Sequence, residues 1–275
     1  RALFDLVLPG RGGTDDETLG AFLARRLGRE VVERISEPLL AGIYAGRLDE
    51  LSLMATFPQF RAMESRHRSL IRGMEASRGN ARPAGGSGPV LPDALARAPF
   101  LTFRSGLAAM VEALQRELSD MQTIHGEAAL NVRRQDGEIR IRLDGGEELA
   151  FDAAVLAVPN RRMAAMLADL GEAVRLIDIP YASVANVVLA FRRSDTEGRR
   201  EAGSGFVVPD NEGLTITACT ITTVKWPHTT PKDLLLVRSY VGKHGDLRGM
   251  QLADDELVRA VRHDLAGMLG LSAEP

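Results

Sequence analysis

Hydrophobic and polar positions recur with two different periods along this chain, and the change from one to the other divides it. In TDDETLGAFLARRLG, Leu19, Phe22, Leu23 and Leu27 stand at helical spacing, and Thr14 followed by Glu17 reads as a capping box that starts the helix there. EVVERISEPLLAGIYAG reads as a second helical stretch, bent or ended near Pro38, with Gly42 and Gly46 permitting a turn or close backbone approach. A third helix in QFRAMESRHRSLIRGMEAS places Phe60, Met63, His67, Leu70, Ile71 and Met74 on one face, with His67 expected as a hydrogen-bonded core residue. Residues 1–76 are thus expected to form a helical subdomain. Residues 77–99, crowded with glycine, proline and small side chains, read as a flexible linker or loop.

From residue 100 the texture changes. SGLAAMVEALQRELSD predicts an amphipathic helix with Leu107, Val111, Leu114 and Leu118 as its buried stripe. GEIRIRLDGGEELAF alternates with period two, turns at Asp144-Gly145-Gly146 and returns, the pattern of a hairpin. DAAVLAVP predicts a short buried strand ending at Pro159. Beyond residue 181, ASVANVVLAF, GSGFVVP, LTITACTITTVKW and DLLLVRSYVG predict four strands of an antiparallel sheet, the third running to Trp226 and ended by Pro227. The last element is a helix over 254–270 with Leu257, Val261, Leu265 and Leu269 buried and His263 facing water.

Composition narrows the function classes. With 275 residues, 45% of them apolar, the chain can bury a sizeable core. A formal charge of −3 supplies no basic field for nucleic acid. One cysteine, Cys219, excludes an intrachain disulfide, and five scattered histidines show no zinc-ligand spacing, so no metal is expected. No apolar run reaches the roughly 20 residues of a membrane span and no signal segment opens the chain, which predicts a cytoplasmic protein. The chain opens RALFDLVLPGRGG and closes LAGMLGLSAEP, so both ends are expected to be cut from something longer. Dinucleotide-binding, P-loop and nucleophile-elbow motifs are absent, and residue types alone name no catalytic residue.

Several phrases nevertheless share one order with a known family. SEPLLAGIYAGRLDELSLMATFPQF, FLTFRSGLAAMVEAL, SVANVVLAF, GSGFVVP and KWPHTTP followed by LLLVRSYVGKHGD, across residues 36–245, resemble the flavin-dependent protoporphyrinogen and coproporphyrinogen oxidases. In SVANV, GFVV, ITACT and KWPH the likeness is to the bacterial coproporphyrinogen III oxidases. The resemblance implies a mixed α+β and α/β fold. A partial, amine-oxidase-like FAD-binding domain would occupy 100–172, an antiparallel-sheet substrate domain 173–252, and its closing helix 253–275. The cofactor implied is FAD. The glycine-rich first turn and the last flavin segment of that family are not in this chain, so FAD binding by it is expected to be weak or absent.

Carried over by matching positions, Ala129, Ala157 and Pro159 are the implied cofactor contacts, and Ser204, Val207, Ile221 and Tyr240 the implied substrate wall. A macrocycle edged with carboxylates asks for cations at the rim, which adds Lys225, His228 and Arg238 as candidate clamps. The implied reaction is FAD-dependent oxidation of coproporphyrinogen III to coproporphyrin III with oxygen as acceptor. The implied partners are the porphyrinogen, a ferrochelatase through the pathway, and a membrane surface touched peripherally by the helical region. Two alternatives stay open: a flavin amine oxidase or carotenoid desaturase relative, and a non-catalytic porphyrin-binding domain.

Overall fold

A computed structural model describes residues 2–11, 15–79, 92, 95, 100–170, 179–200 and 203–275. The expected linker over 77–99 therefore lies largely outside the described residues, as does Thr14. Two compact units emerge, one of residues 1–109 with 182–275 and one of residues 110–181.

In the first unit α1 spans Leu19–Leu27 and begins later than the capping-box reading predicts. Thr18 is its N-cap, with φ −70° and ψ 147°, and its hydroxyl accepts the Ala21 N–H at 3.2 Å. Glu17 is drawn instead into salt bridges with Arg25 at 2.9 Å and Arg61 at 2.8 Å. Leu19, Phe22 and Leu23 are buried as expected, in a core shared with Val32, Leu48, Leu53 and Leu70. Pro38 does not end the second helical stretch. Val32–Ala41 winds as a π-helix with Pro38 inside it, continued by the turn Gly42–Tyr44.

The third predicted helix is two helices, α2 (Pro58–His67) and α3 (Leu70–Gly79). Arg68 between them takes the left-handed conformation at φ 57°, its N–H closing on the Glu64 carbonyl at 2.8 Å. That break re-phases the faces, so Leu70 is buried while His67 is exposed rather than a core residue. Beneath these helices Arg26 and Asp5, both fully buried, pair at 2.5 Å.

The same unit carries a four-stranded antiparallel sheet in the order β4-β7-β6-β5, formed by β4 (Ala185–Arg192), β5 (Gly205–Val207), β6 (Ile216–Ile221) and β7 (Leu234–Val241). The last helix of the chain, Asp254–Leu269, covers one face. Its Leu257, Val261, Leu265 and Leu269 join Val187, Leu189, Phe191, Cys219, Ile221 and Val237 in one core, and His263 is exposed, both as predicted. Asp264 ties helix to sheet by accepting the Thr215 and Ile216 N–H groups at 2.7 and 3.1 Å. The predicted third strand stops at Ile221, five residues before Trp226. Thr222–Lys225 turns helically, and the Thr223 hydroxyl accepts the Leu236 N–H at 2.8 Å where the ladder would have continued.

The second unit contains the meander β1 (Ala129–Gln135), β2 (Glu138–Leu143) and β3 (Glu148–Phe151). The β2–β3 hairpin is the predicted one. Asp136 and Gly137, with φ 54° and 87°, make the left-handed two-residue turn into β2. A helix over Ala108–Glu117, here α4, precedes the meander, and its predicted stripe is not buried: Val111, Leu114 and Leu118 are all about half exposed. DAAVLAVP likewise forms no strand. No described strand pairs with it, and Val155 is 95% exposed. Apolar runs of this kind are covered only when a neighbouring layer exists, and none of the described residues provides one. The short helix α5 (Asn160–Met166) contacts β1, where the Asn131 amide donates to the Met166 carbonyl at 3.5 Å and to Asp169 at 3.1 Å.

Candidate functional site

Strand register decides which predicted wall residues can face one ligand. Val207 pairs with Ala218, Ala218 with Tyr240 and Tyr240 with Asn186, so these four form one row across the sheet. The next row on the same face is Gly205, Thr220, Arg238 and Val188. Leu236 and Ala190 follow. This face is the one that the C-terminal helix leaves open, and Val207 and Val188 are 40% and 49% exposed on it. Val207, Tyr240 and Arg238 therefore share one face of the sheet.

Ile221 and Ser204 are not. Ile221 pairs with Val237 on the opposite face and is 1% exposed inside the core, so it cannot wall a pocket on the open side. Ser204 lies just before β5, its carbonyl accepting the Ile221 N–H at 3.0 Å; three positions from Val207, it is out of phase with that row. The buried face also holds Cys219. Burial pushes its thiol up to about 11, so it is no nucleophile.

Lys225 and His228 sit on the turns after β6 rather than on the strands. The Lys225 ammonium lies 4.6 Å from the Phe100 ring centroid and 5.9 Å from that of Trp226, and the His228 ring meets Trp226 edge-on at 6.4 Å. These residues form an exposed cation and aromatic cluster. The Arg238 side chain, by contrast, has no ion pair or hydrogen bond among the described residues, and neither has that of Arg192 at the end of β4.

The candidate cofactor contacts all fall in the second unit and are exposed. Ala129 opens β1, the outer strand of the meander, whose other edge pairs with no described strand and presents backbone N–H and C=O groups. Ala157 belongs to the extended exposed run, and Pro159 immediately precedes α5. A strand edge of alternating donors and acceptors fits the adenine end of FAD. Nothing among the described residues forms a glycine-rich cradle between strand and helix for its pyrophosphate.

A cavity of about 1010 Å³ also opens in the first unit, between α1, the π-helix and the loop after β7, and none of the predicted site residues lines it. Two of its cations are answered by its own acids, Lys243 by Asp210 and Arg248 by Asp246 at 2.8 Å. Hydrogen bonds from Arg248 hold Asp246 down at about 2. Burial, reinforced by the charges of Asp210 and Asp49, raises the Glu37 carboxyl despite the N–H that Leu48 donates to it. The open sheet face, which carries Val207, Tyr240 and Arg238, matches the predicted substrate wall, and the cavity does not.

A family model for flavin containing amine oxidoreductases matches residues 3–275. The chain belongs to that family. Its fold is accordingly the amine-oxidase-like, mixed α and β fold, and FAD is the cofactor of the family. Coproporphyrinogen III oxidase of Bacillus subtilis (strain 168) is 39% identical over 275 residues, covering 100% of this chain and 57% of that protein. The protein of that name in Staphylococcus aureus (strain NCTC 8325 / PS 47) is 34% identical over 278 residues, covering 100% and 59%. A crystal structure of a candidate protoporphyrinogen oxidase from Exiguobacterium sp. 255-15 superposes with a TM-score of 0.79 at 31% identity, covering 100% of this chain and 56% of that one. This flavin family member thus spans somewhat over half the length of the relatives it matches. Among the described residues no helix is long and apolar enough to cross a membrane.

Proposed function

We propose that a polypeptide carrying this chain at the length of its relatives oxidises coproporphyrinogen III to coproporphyrin III with dioxygen as acceptor. The observation that carries this reading is the 39% identity to the Bacillus protein across the whole chain. The part played by this chain is the substrate wall. Val207, Leu236 and Tyr240 present apolar and aromatic surface to a ring, and Arg238 presents an unpaired cation to a propionate. At the other unit, Ala129 on the free edge of β1 and the Ala157–Pro159 run would hold the adenine end of FAD. The chemistry supplied by bound FAD is hydride acceptance from the reduced macrocycle, dioxygen then restoring the oxidised flavin. The protein's task is orientation and shielding, and among the described residues no side chain on the open face is positioned as a base. Because the described residues supply no pyrophosphate cradle, this chain alone is expected not to turn over.

The test is a chimera in which this chain replaces the matching segment of the Bacillus subtilis protein. Coproporphyrin fluorescence should rise with matching oxygen uptake when coproporphyrinogen III is added. A chimera that binds FAD stoichiometrically yet leaves porphyrinogens unoxidised refutes the reading.

A further inference from the structure

We propose that Arg192 and Arg238 together select a tetrapyrrole by the spacing of its carboxylates, making Arg192 a specificity-determining residue on the open sheet face. The inference rests on the porphyrinogen reading above and goes further by assigning a second cation outside the sequence motifs.

The argument is one of register. Arg238 on β7 stands opposite Val188 on β4, and Val188, Ala190 and Arg192 follow at intervals of two, so all point to the face shared with Arg238. Four residues of strand and one interstrand step separate the two arginines, placing their Cβ atoms about 14 Å apart. Between them lie Val188, Ala190 and Leu236, a short apolar platform with no charge on it. Neither arginine's side chain has an ion pair or hydrogen bond among the described residues, whereas Arg25, Arg26, Arg61 and Arg248 of this unit are engaged. Two free guanidinium groups flanking apolar surface complement a ring whose carboxylates project from opposite edges. A tetrapyrrole with four propionates meets that demand in any orientation about its axis. One with two propionates on adjacent rings can engage a single arginine while its far edge leaves the other unanswered. The preference for a tetracarboxylate therefore comes from the second cation, and Arg192 supplies it.

The experiment is fluorescence titration of the chain itself with two probes, coproporphyrin III with four carboxylates and mesoporphyrin IX with two. Wild type should bind the tetracarboxylate more tightly. Arg192→Gln should weaken coproporphyrin III by about tenfold, as expected for one charge-assisted contact, while changing mesoporphyrin IX by less than twofold. Arg192→Lys should recover most of the loss, and Arg193→Gln, just beyond the strand, should behave as wild type. Equal affinity of wild type and Arg192→Gln for coproporphyrin III, or an equal loss for both probes, overturns the inference while leaving porphyrinogen oxidation to be judged by the chimera. Failure of wild type to bind any porphyrin also overturns it, again independently of turnover.

Discussion

Removing the buried carboxylate of Asp5 should cost the first unit a large part of its stability. Arg26 is fully buried and spends its guanidinium on Asp5 Oδ1 at 2.5 Å, the Asp5 carbonyl at 2.8 Å, the Arg68 carbonyl at 2.6 Å and the Pro9 carbonyl at 3.1 Å. Asp5 Oδ2 in turn accepts the Ser69 hydroxyl at 2.6 Å and the Ile71 N–H at 3.0 Å. In Asp5→Ala the buried cation keeps only Glu64, at 3.5 Å, as a counter-charge, and two donors lose their acceptor. Breaking a buried pair from one side costs about 3–5 kcal/mol, chiefly because the surviving charge stays buried without compensation. Against a total stability of about 5–15 kcal/mol the unit should still fold, with little margin. At a urea m-value of about 2 kcal/mol/M the midpoint should fall by about 2 M. Trp226, the chain's single tryptophan, lies in the same unit, so its fluorescence reports the transition. Adding Arg26→Met to Asp5→Ala removes the stranded charge, and the double variant should be less destabilised than the sum of the two singles. Strict additivity, or a fall below about 0.3 M for Asp5→Ala, would refute this account of the pair.

Two further outcomes follow from particular sites. Burial raises the Glu37 carboxyl, with Asp210 and Asp49 adding to the shift, so its contribution is favourable below the ordinary glutamate pKa and is lost as pH rises through the raised value. Glu37→Gln should therefore raise the urea midpoint at pH 7 and match wild type below about pH 4; a gain of equal size at both pH values contradicts the assignment. Gly205 has φ 148°, and a Cβ there would stand 2.2 Å from the Cys219 carbonyl, so Gly205→Ala should cost more than about 1 kcal/mol. Amide exchange at Ile221, whose N–H reaches across to Ser204, should accelerate, and unchanged protection there would show the edge strand to tolerate the methyl.

The elements that were legible in the sequence are those whose apolar face meets a partner within the same unit. The C-terminal helix shows its Leu257, Val261, Leu265 and Leu269 stripe in the spacing alone, and the sheet supplies the layer that buries it. Period-two alternation likewise gave the four strands and the β2–β3 hairpin. The same alternation held more than motif matching drew from it. Positions 204 and 207 differ by an odd number, so a single strand could not aim both at one ligand. Arg192 was within reach of the same arithmetic, four places after Val188, once β4 was set beside β7.

Other features have no local signature. Thr18 caps α1, and Glu17 is taken up by Arg25 and Arg61, pairings that local spacing does not reveal. His67 turned outward because a left-handed residue at Arg68 broke the helix, an event that periodicity does not encode. On α4 the helix stands where its pattern places it but its stripe is not buried, and DAAVLAVP forms neither the strand nor the burial expected of it, since an apolar run states only that a surface seeks cover. Sequence fixed the periods, the faces and the family, because these depend on side-chain order along the chain. Tertiary structure alone decided which face is covered, which charges find partners and that Arg192 and Arg238 share the open face, because each of those depends on residues far apart in sequence meeting in space.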